Sequence, residues 1–238
     1  MLYSYRREIG DSKLVVEYIN GKVQSYMTEC SYAYFTSMKD TEVIPVTTRT
    51  KAQYDRLSEL TSKLGVRYAM ICNGGILLDN GEVDSQWLTE TYELIGNAAD
   101  ELRKAAEKMK SLSVREVHET DDIMIYTVTD DPEAMKESLR ETLDTQLITV
   151  FSDNRKVYCI PSVINKGSAV RRFNERFGYC RNIAAGDGVQ DIPMLEAADI
   201  PICAADNGKY VNSAHKIIAD TSAVFSDSVC DALKQLNI

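Results

Sequence analysis

Histidine is almost missing. His118 and His215 are the only two in 238 residues, and they lie far apart in sequence. Chemistry that turns on an imidazole therefore suits this chain poorly. The six cysteines, Cys30, Cys72, Cys159, Cys180, Cys203 and Cys230, include no Cys-x-x-Cys pair, so metal-site spacing is absent. Several sit in apolar runs (Ile71-Cys72, Tyr158-Cys159-Ile160, Ile202-Cys203), the pattern of reduced core thiols in a cytosolic protein. No apolar run approaches the length of a membrane span. Met1 to Glu8 has arginines but no apolar core behind them, unlike a signal peptide. Positive charge is in deficit, 27 Lys and Arg against 36 Asp and Glu, which argues against nucleic acid as the main partner. Repeats and low-complexity tracts are also missing.

What is present is enough chain for one large domain or two modest ones, organised around Asn182 to Leu195. There a short apolar run breaks at Gly186, presents Asp187, and restarts as a helix after Asp191. Ligands collect at such strand-to-helix edges in open α/β sheets. Two carboxylates at that mouth suit Mg²⁺, which keeps several waters and needs few protein oxygens. A capped turn, with Asp191 as N-cap and Asp187 solvated, is the alternative reading of the same residues.

The chain opens with a hairpin, Leu14–Ile19 and Lys22–Met27 about Asn20-Gly21. Thr28 caps a helix to about Met38. Val43–Val46 reads as a buried strand ending at Thr47-Thr48-Arg49, and a helix follows from Lys51 to Leu64. Tyr68–Cys72 is a second buried strand, closing at Asn73-Gly74. From Asn80 to Pro161 the character changes. A hairpin about Asn80-Gly81, a helix from Ser85 to Leu112, a strand from Ile123 to Val128, a helix capped by Asp131-Pro132 and a last hairpin make an α+β insert. After Pro161 strand and helix alternate again: a helix from Lys166 to Gly178, the Asp187 strand, a helix from Ile192, a strand at Ile200, a short helix from Tyr210, a strand at Ile217-Ile218 and a helix capped by Ser226. The pattern is a mostly parallel sheet interrupted by a second domain.

Three polar features thus fall at strand ends or helix starts: Thr47-Thr48-Arg49, Lys166-Gly167, and Asp187 with Asp191. A threonine hydroxyl and nearby backbone N–H groups can hold phosphoryl oxygens, a lysine at a helix start adds a point charge, and an aspartate can hold a metal. Taken singly, Thr47 reads equally as a strand end and Lys166 as a solvated lysine; their joint order carries the weight.

Val43 to Thr50, Val163 to Ala169 and Gly186 to Leu195 resemble the second, third and fourth motifs of the haloacid dehalogenase superfamily, nearest to its Cof-like and sucrose-phosphatase-like phosphatases. Asn73-Gly74 matches the dipeptide at which that branch launches its cap. The resemblance implies an α/β fold: a Rossmann-like, mostly parallel core sheet from residues 1–79 and 162–238, with an inserted α+β cap over residues 80–161. It implies a cytoplasmic Mg²⁺-dependent phosphatase of a small phosphorylated metabolite, such as a sugar phosphate. Thr47 would bind the phosphoryl group, with Thr48, Arg49 and Asn73 beside it. Lys166 would stabilise its charge, Asp187 would ligate Mg²⁺, and Asp191 would assist. The cap would close over the substrate and select it. Cap tyrosines such as Tyr126 and Tyr158 could stack on a sugar ring, although packing is the simpler reading.

Thr48 departs from the family, standing where a glycine is usual, and so does Gln190, where asparagine is usual. The larger departure is at the start. The family's first motif, a buried strand ending in Asp-x-Asp-x-Thr, supplies the nucleophile and the general acid/base, and it is not found. Asp11, the first aspartate, lies in a turn with no apolar strand before it. The chain reads as starting just past the catalytic loop, and is expected to be inactive or nearly so. In the family that strand lies between those ending at Thr47 and Asp187. Missing native N-terminal residues are the favoured account, ahead of Met1 to Arg6 filling the gap or a partner chain supplying a strand. The alternative function is a non-catalytic pseudophosphatase that binds phosphate, metal or a partner.

Overall fold

A computed structural model describes residues 1–112, 115–179 and 181–238. Cys180, one of the expected core thiols, lies outside them. Of the others, Cys72, Cys159, Cys203 and Cys230 are buried and Cys30 is exposed.

The first sheet has order β1-β3-β2, from β1 (Tyr3–Ser4), β2 (Lys13–Ile19) and β3 (Lys22–Thr28). Asn20 and Gly21 turn the hairpin with positive φ, 50° and 74°. Its register shifts on both sides of Glu17. Thr28 caps α1 (Glu29–Ser37) by accepting from the Ser31 N–H. The strand expected at Val43–Val46 is reduced to one parallel bridge, Val46 to Met70; Pro45 can donate nothing to a ladder. The helix expected from Lys51 to Leu64 is two, α2 (Lys51–Asp55) and α3 (Ser58–Lys63). At the break Leu57 turns inward, 3% exposed, while Arg56 reaches Glu17.

A second sheet, β4-β5-β6, is built from β4 (Tyr68–Ile71), β5 (Ile76–Asp79) and β6 (Glu82–Val83). The single helix expected over 85–112 is α4 (Ser85–Ile95) and α5 (Ala98–Leu112). They part at Gly96, whose φ of 43° and ψ of −118° suit a residue without Cβ. The insert then continues as β7 (Val117–Thr120), β8 (Met124–Val128), α6 (Pro132–Thr142), β9 (Ile148–Asp153) and β10 (Lys156–Pro161). The strand β7 was not expected. The four strands pair antiparallel in the order β7-β8-β10-β9. Val157 and Cys159 on β10 pack in one cluster with Leu102, Met109 and Leu139 of α5 and α6. On the alternate positions His118, Tyr126, Tyr158 and Phe151 align across all four strands. Their neighbouring rings lie 4.7, 5.4 and 4.9 Å apart.

The rest is α7 (Lys166–Phe177), β11 (Ile183–Gly186), α8 (Ile192–Glu196), β12 (Ile200–Cys203), α9 (Ala205–Gly208), β13 (Ile217–Ile218) and α10 (Phe225–Gln235). The helix expected from Tyr210 comes earlier, as α9. Ser226 is inside α10, not its cap, and its N–H donates to the Tyr3 hydroxyl at 2.8 Å. β11, β12 and β13 are parallel. One core layer joins Tyr68, Met70 and Leu77 to Phe173 and Leu195 of α7 and α8. Full burial of a side chain such as Phe173 contributes about 2–3 kcal/mol. The other layer joins Phe35 of α1 to Ile202, Val229 and Leu233. The architecture is the expected α/β core with an α+β insert, but the core sheet is in two pieces. Among the described residues β11 pairs with β12 alone. Between it and Val43–Val46 lies a cavity of about 710 Å³.

Candidate functional site

Two close approaches build the site. A Cβ on Gly167 would sit 2.1 Å from the Pro193 carbonyl oxygen, so the first turn of α7 lies hard against α8. A Cβ on Gly186 would sit 2.3 Å from the Asp191 Cβ, so the end of β11 lies against the turn before α8. Asn165 caps α7, its Oδ1 accepting from the Gly167 and Ser168 N–H groups at 3.1 and 2.9 Å. Together these place Lys166 and Asp191 in contact, Nζ to Oδ1 at 2.5 Å, with both side chains 11% exposed. The second oxygen of Asp191 accepts from the Gly188 N–H at 2.9 Å.

Asp187 is turned outward beside them. Its carboxylate is 35% exposed and meets Arg7 at 3.4 Å. The Met1 amino group lies among Asp187, Asp191, Lys166 and Arg7. Burial lowers its pKa, and the two carboxylates oppose that shift. Thr47, Arg49, Lys166, Asp187 and Asp191 all line the 710 Å³ cavity. The Thr47 backbone is held by Met70 (2.9 Å) and Asn73 (2.8 Å), and its Oγ1 accepts from the Arg49 N–H at 3.2 Å. Thr48 lies against the Tyr158 phenol of the insert.

Arg49 and Asn73 are placed differently from the other expected site residues. Both terminal nitrogens of Arg49 are engaged by Glu17, at 2.9 Å each. Asn73 lies outside the cavity lining and donates to the Ile164 carbonyl at 3.1 Å, tying the turn after β4 to the approach of α7. Its Oδ1 is buried without a partner. Asp11 is exposed and does not line the cavity.

Sequence reasoning missed Glu17, a carboxylate 2% exposed at the heart of an ion-pair cluster. Its pKa falls from 4.5 to about 2: burial pushes it up, but hydrogen bonds from Arg49, Ser25 and Arg56 more than reverse this. The one signal was a lone charge within an apolar strand arm. The Tyr54 hydroxyl, at the cavity, is also buried and has no hydrogen-bond partner among the described residues.

Among the described residues no three His, Cys, Asp or Glu groups are gathered as a ready metal cluster. No helix among them is long and apolar enough to cross a membrane.

A strand-end aspartate, a lysine–aspartate pair beside it and a threonine loop across one cavity define a class. Residues 7–233 match the family model of the haloacid dehalogenase-like hydrolases, and the chain belongs to that family. Among solved structures it is similar to a subclass IIB sugar phosphatase of that superfamily, at 13% identity, TM-score 0.67, covering 94% of this chain and 95% of that one. It is also similar to the sucrose-phosphatase of Synechocystis sp. PCC6803, solved with sucrose and phosphate, at 15% identity and TM-score 0.60, with 82% and 84% covered. A phosphatase from Bacteroides thetaiotaomicron is alike at 16% identity and TM-score 0.58, with 94% and 91% covered. No curated protein sequence matches the chain.

Proposed function

We propose that the chain carries the phosphate and metal site of a Mg²⁺-dependent phosphomonoesterase acting on a small phosphorylated metabolite, with sugar phosphates the favoured class. The observation that carries this is the Lys166–Asp191 contact at 2.5 Å beside Asp187, on the cavity that Thr47 also lines. In this reading residues 1–79 and 162–238 form the core and residues 80–161 the cap.

The residues fit Mg²⁺. Asp187 is part-exposed at the cavity, with Arg7 at 3.4 Å as its ion-pair partner among the described residues, so its carboxylate is available as a ligand. Asp191 assists from behind, oriented by Lys166 and the Gly188 N–H. Mg²⁺ takes one or two carboxylates and keeps its waters, which a pair of aspartates satisfies. When bound it would supply positive charge to the phosphoryl oxygens. Thr47 offers its hydroxyl proton to the same oxygens, and Lys166 adds a fixed cation at the start of α7.

An attacking carboxylate is not assigned: Asp11 is exposed and away from the cavity. That placement keeps a phosphate-binding pseudophosphatase as the second reading. Melting with millimolar Mg²⁺ and inorganic phosphate tests the shared part. The Tm of the wild type is expected to rise, and Asp187→Asn or Lys166→Ala to abolish the rise. No stabilisation in the wild type would overturn both readings. Release of phosphate from sugar phosphates separates them.

A further inference from the structure

Where the insert sheet meets the Thr47–Arg49 loop, the charges do not balance. Glu17 accepts from Arg49 twice, from Arg56 Nε at 2.8 Å and from Ser25 Oγ at 2.6 Å. Two guanidiniums therefore share one carboxylate, and their side chains remain 23% and 32% exposed. The register shifts that flank Glu17 aim it and Ser25 at this point.

A third cation comes from the insert. Lys156, at the start of β10, is half-buried, and its ammonium has no hydrogen-bond or ion-pair partner among the described residues. It faces the ring of Tyr126 at 5.4 Å. Asp153 is its cross-strand neighbour, but that carboxylate is exposed and accepts from Asn154 at 2.9 Å. Burial pushes the Lys156 pKa down, Arg49 and Arg56 push it the same way, and Asp153 and Glu17 oppose them. An arriving anion would relieve a cation held in such company.

The cluster is also well placed. Tyr158 lies on the same face of β10 as Lys156, two residues on, and rests against Thr48. Two residues of strand span about 6.6 Å. Lys156 thus stands on the insert side of the loop that carries Thr47, and Arg49 on that loop also lines the cavity.

We propose that Lys156, with Arg56 and Arg49 beside it, forms a subsite for a second acidic group on the leaving part of the substrate. This rests on the phosphate reading of the Thr47, Lys166 and Asp187 site. The chain would then prefer a bisphosphate or a phosphorylated sugar acid to a neutral sugar phosphate.

Calorimetric titration in Mg²⁺ with fructose 6-phosphate, fructose 1,6-bisphosphate and 6-phosphogluconate tests it, since binding needs no turnover. At least one diacidic probe is expected to bind tenfold or more tighter than fructose 6-phosphate, and which one does separates a phosphate from a carboxylate occupant. Lys156→Gln, a half-exposed position that leaves the core intact, should erase the preference and leave fructose 6-phosphate binding unchanged, while Lys156→Arg should restore it. Equal binding of all three, or a preference that survives Lys156→Gln, overturns the subsite while the phosphate reading stands. Diacidic binding lost in Lys156→Gln but untouched by Lys166→Ala keeps the subsite and overturns the phosphate reading. No binding of any probe overturns both.

Discussion

Glu17 shows how much one buried carboxylate can organise. It holds Arg49, Arg56 and Ser25 at once, joining the first hairpin to the Thr47 loop and to α2. Removing one partner of a buried ion pair costs about 3–5 kcal/mol, so Glu17→Gln is expected to lower stability by about 3 kcal/mol in urea titration. The pH dependence follows from the depressed pKa. The contribution of Glu17 is complete above 4.5 and is lost as pH falls toward about 2. The gap between wild type and Glu17→Gln should therefore close over that window. The residues that sequence spacing could find were those whose role is local to a strand–helix turn: Asp187, Asp191 and Lys166. Glu17 was not legible, because strand alternation says which face a residue occupies and nothing about the arginines opposite.

Among the elements, α7 does the most positioning. Its first turn meets α8 through Gly167, and its third reaches α4: Arg176 donates to both oxygens of Asp84 at 3.1 and 2.8 Å. Asp84 also caps α4 through the Trp87 N–H at 2.8 Å. Gly167→Ala would force a Cβ onto the Pro193 backbone. A loss of about 1–3 kcal/mol is expected, together with loss of the Mg²⁺- and phosphate-dependent Tm rise. A double-mutant cycle of Arg176→Ala with Asp84→Ala should give a coupling of about 1 kcal/mol, read by thermal unfolding. The α7 and α10 periods were plain in sequence, since Val170 and Phe173, and Val229 and Leu233, recur at helical spacing. The breaks at Gly96 and Leu57 were not, because the apolar stripe runs on across both while the backbone turns.

Over the whole molecule, the sheet falls into two pieces across a cavity, with the β11 edge on one side and Val43–Val46 on the other. Unshared strand edges leave backbone groups without ladder partners. Amide exchange is expected to be faster along the cavity-facing edge of β11 than along the edge shared with β12, as mass spectrometry would show. Equal protection of both edges would mean that something pairs there in solution. The order of elements and the inserted domain were legible from the switch between strand–helix alternation and antiparallel hairpins. How the strands share edges was not, since pairing is a long-range property that no local pattern encodes.

The contact between α4 and α7 carries its own reporter. Trp87 is the sole tryptophan and is fully buried, its indole N–H donating to the Gly74 carbonyl at 3.1 Å and its ring under the Arg172 guanidinium at 3.9 Å. Every photon of tryptophan emission therefore originates where α4 meets α7. A ligand that shifts α4 against α7 can be followed by fluorescence alone, without a label and without knowing the substrate.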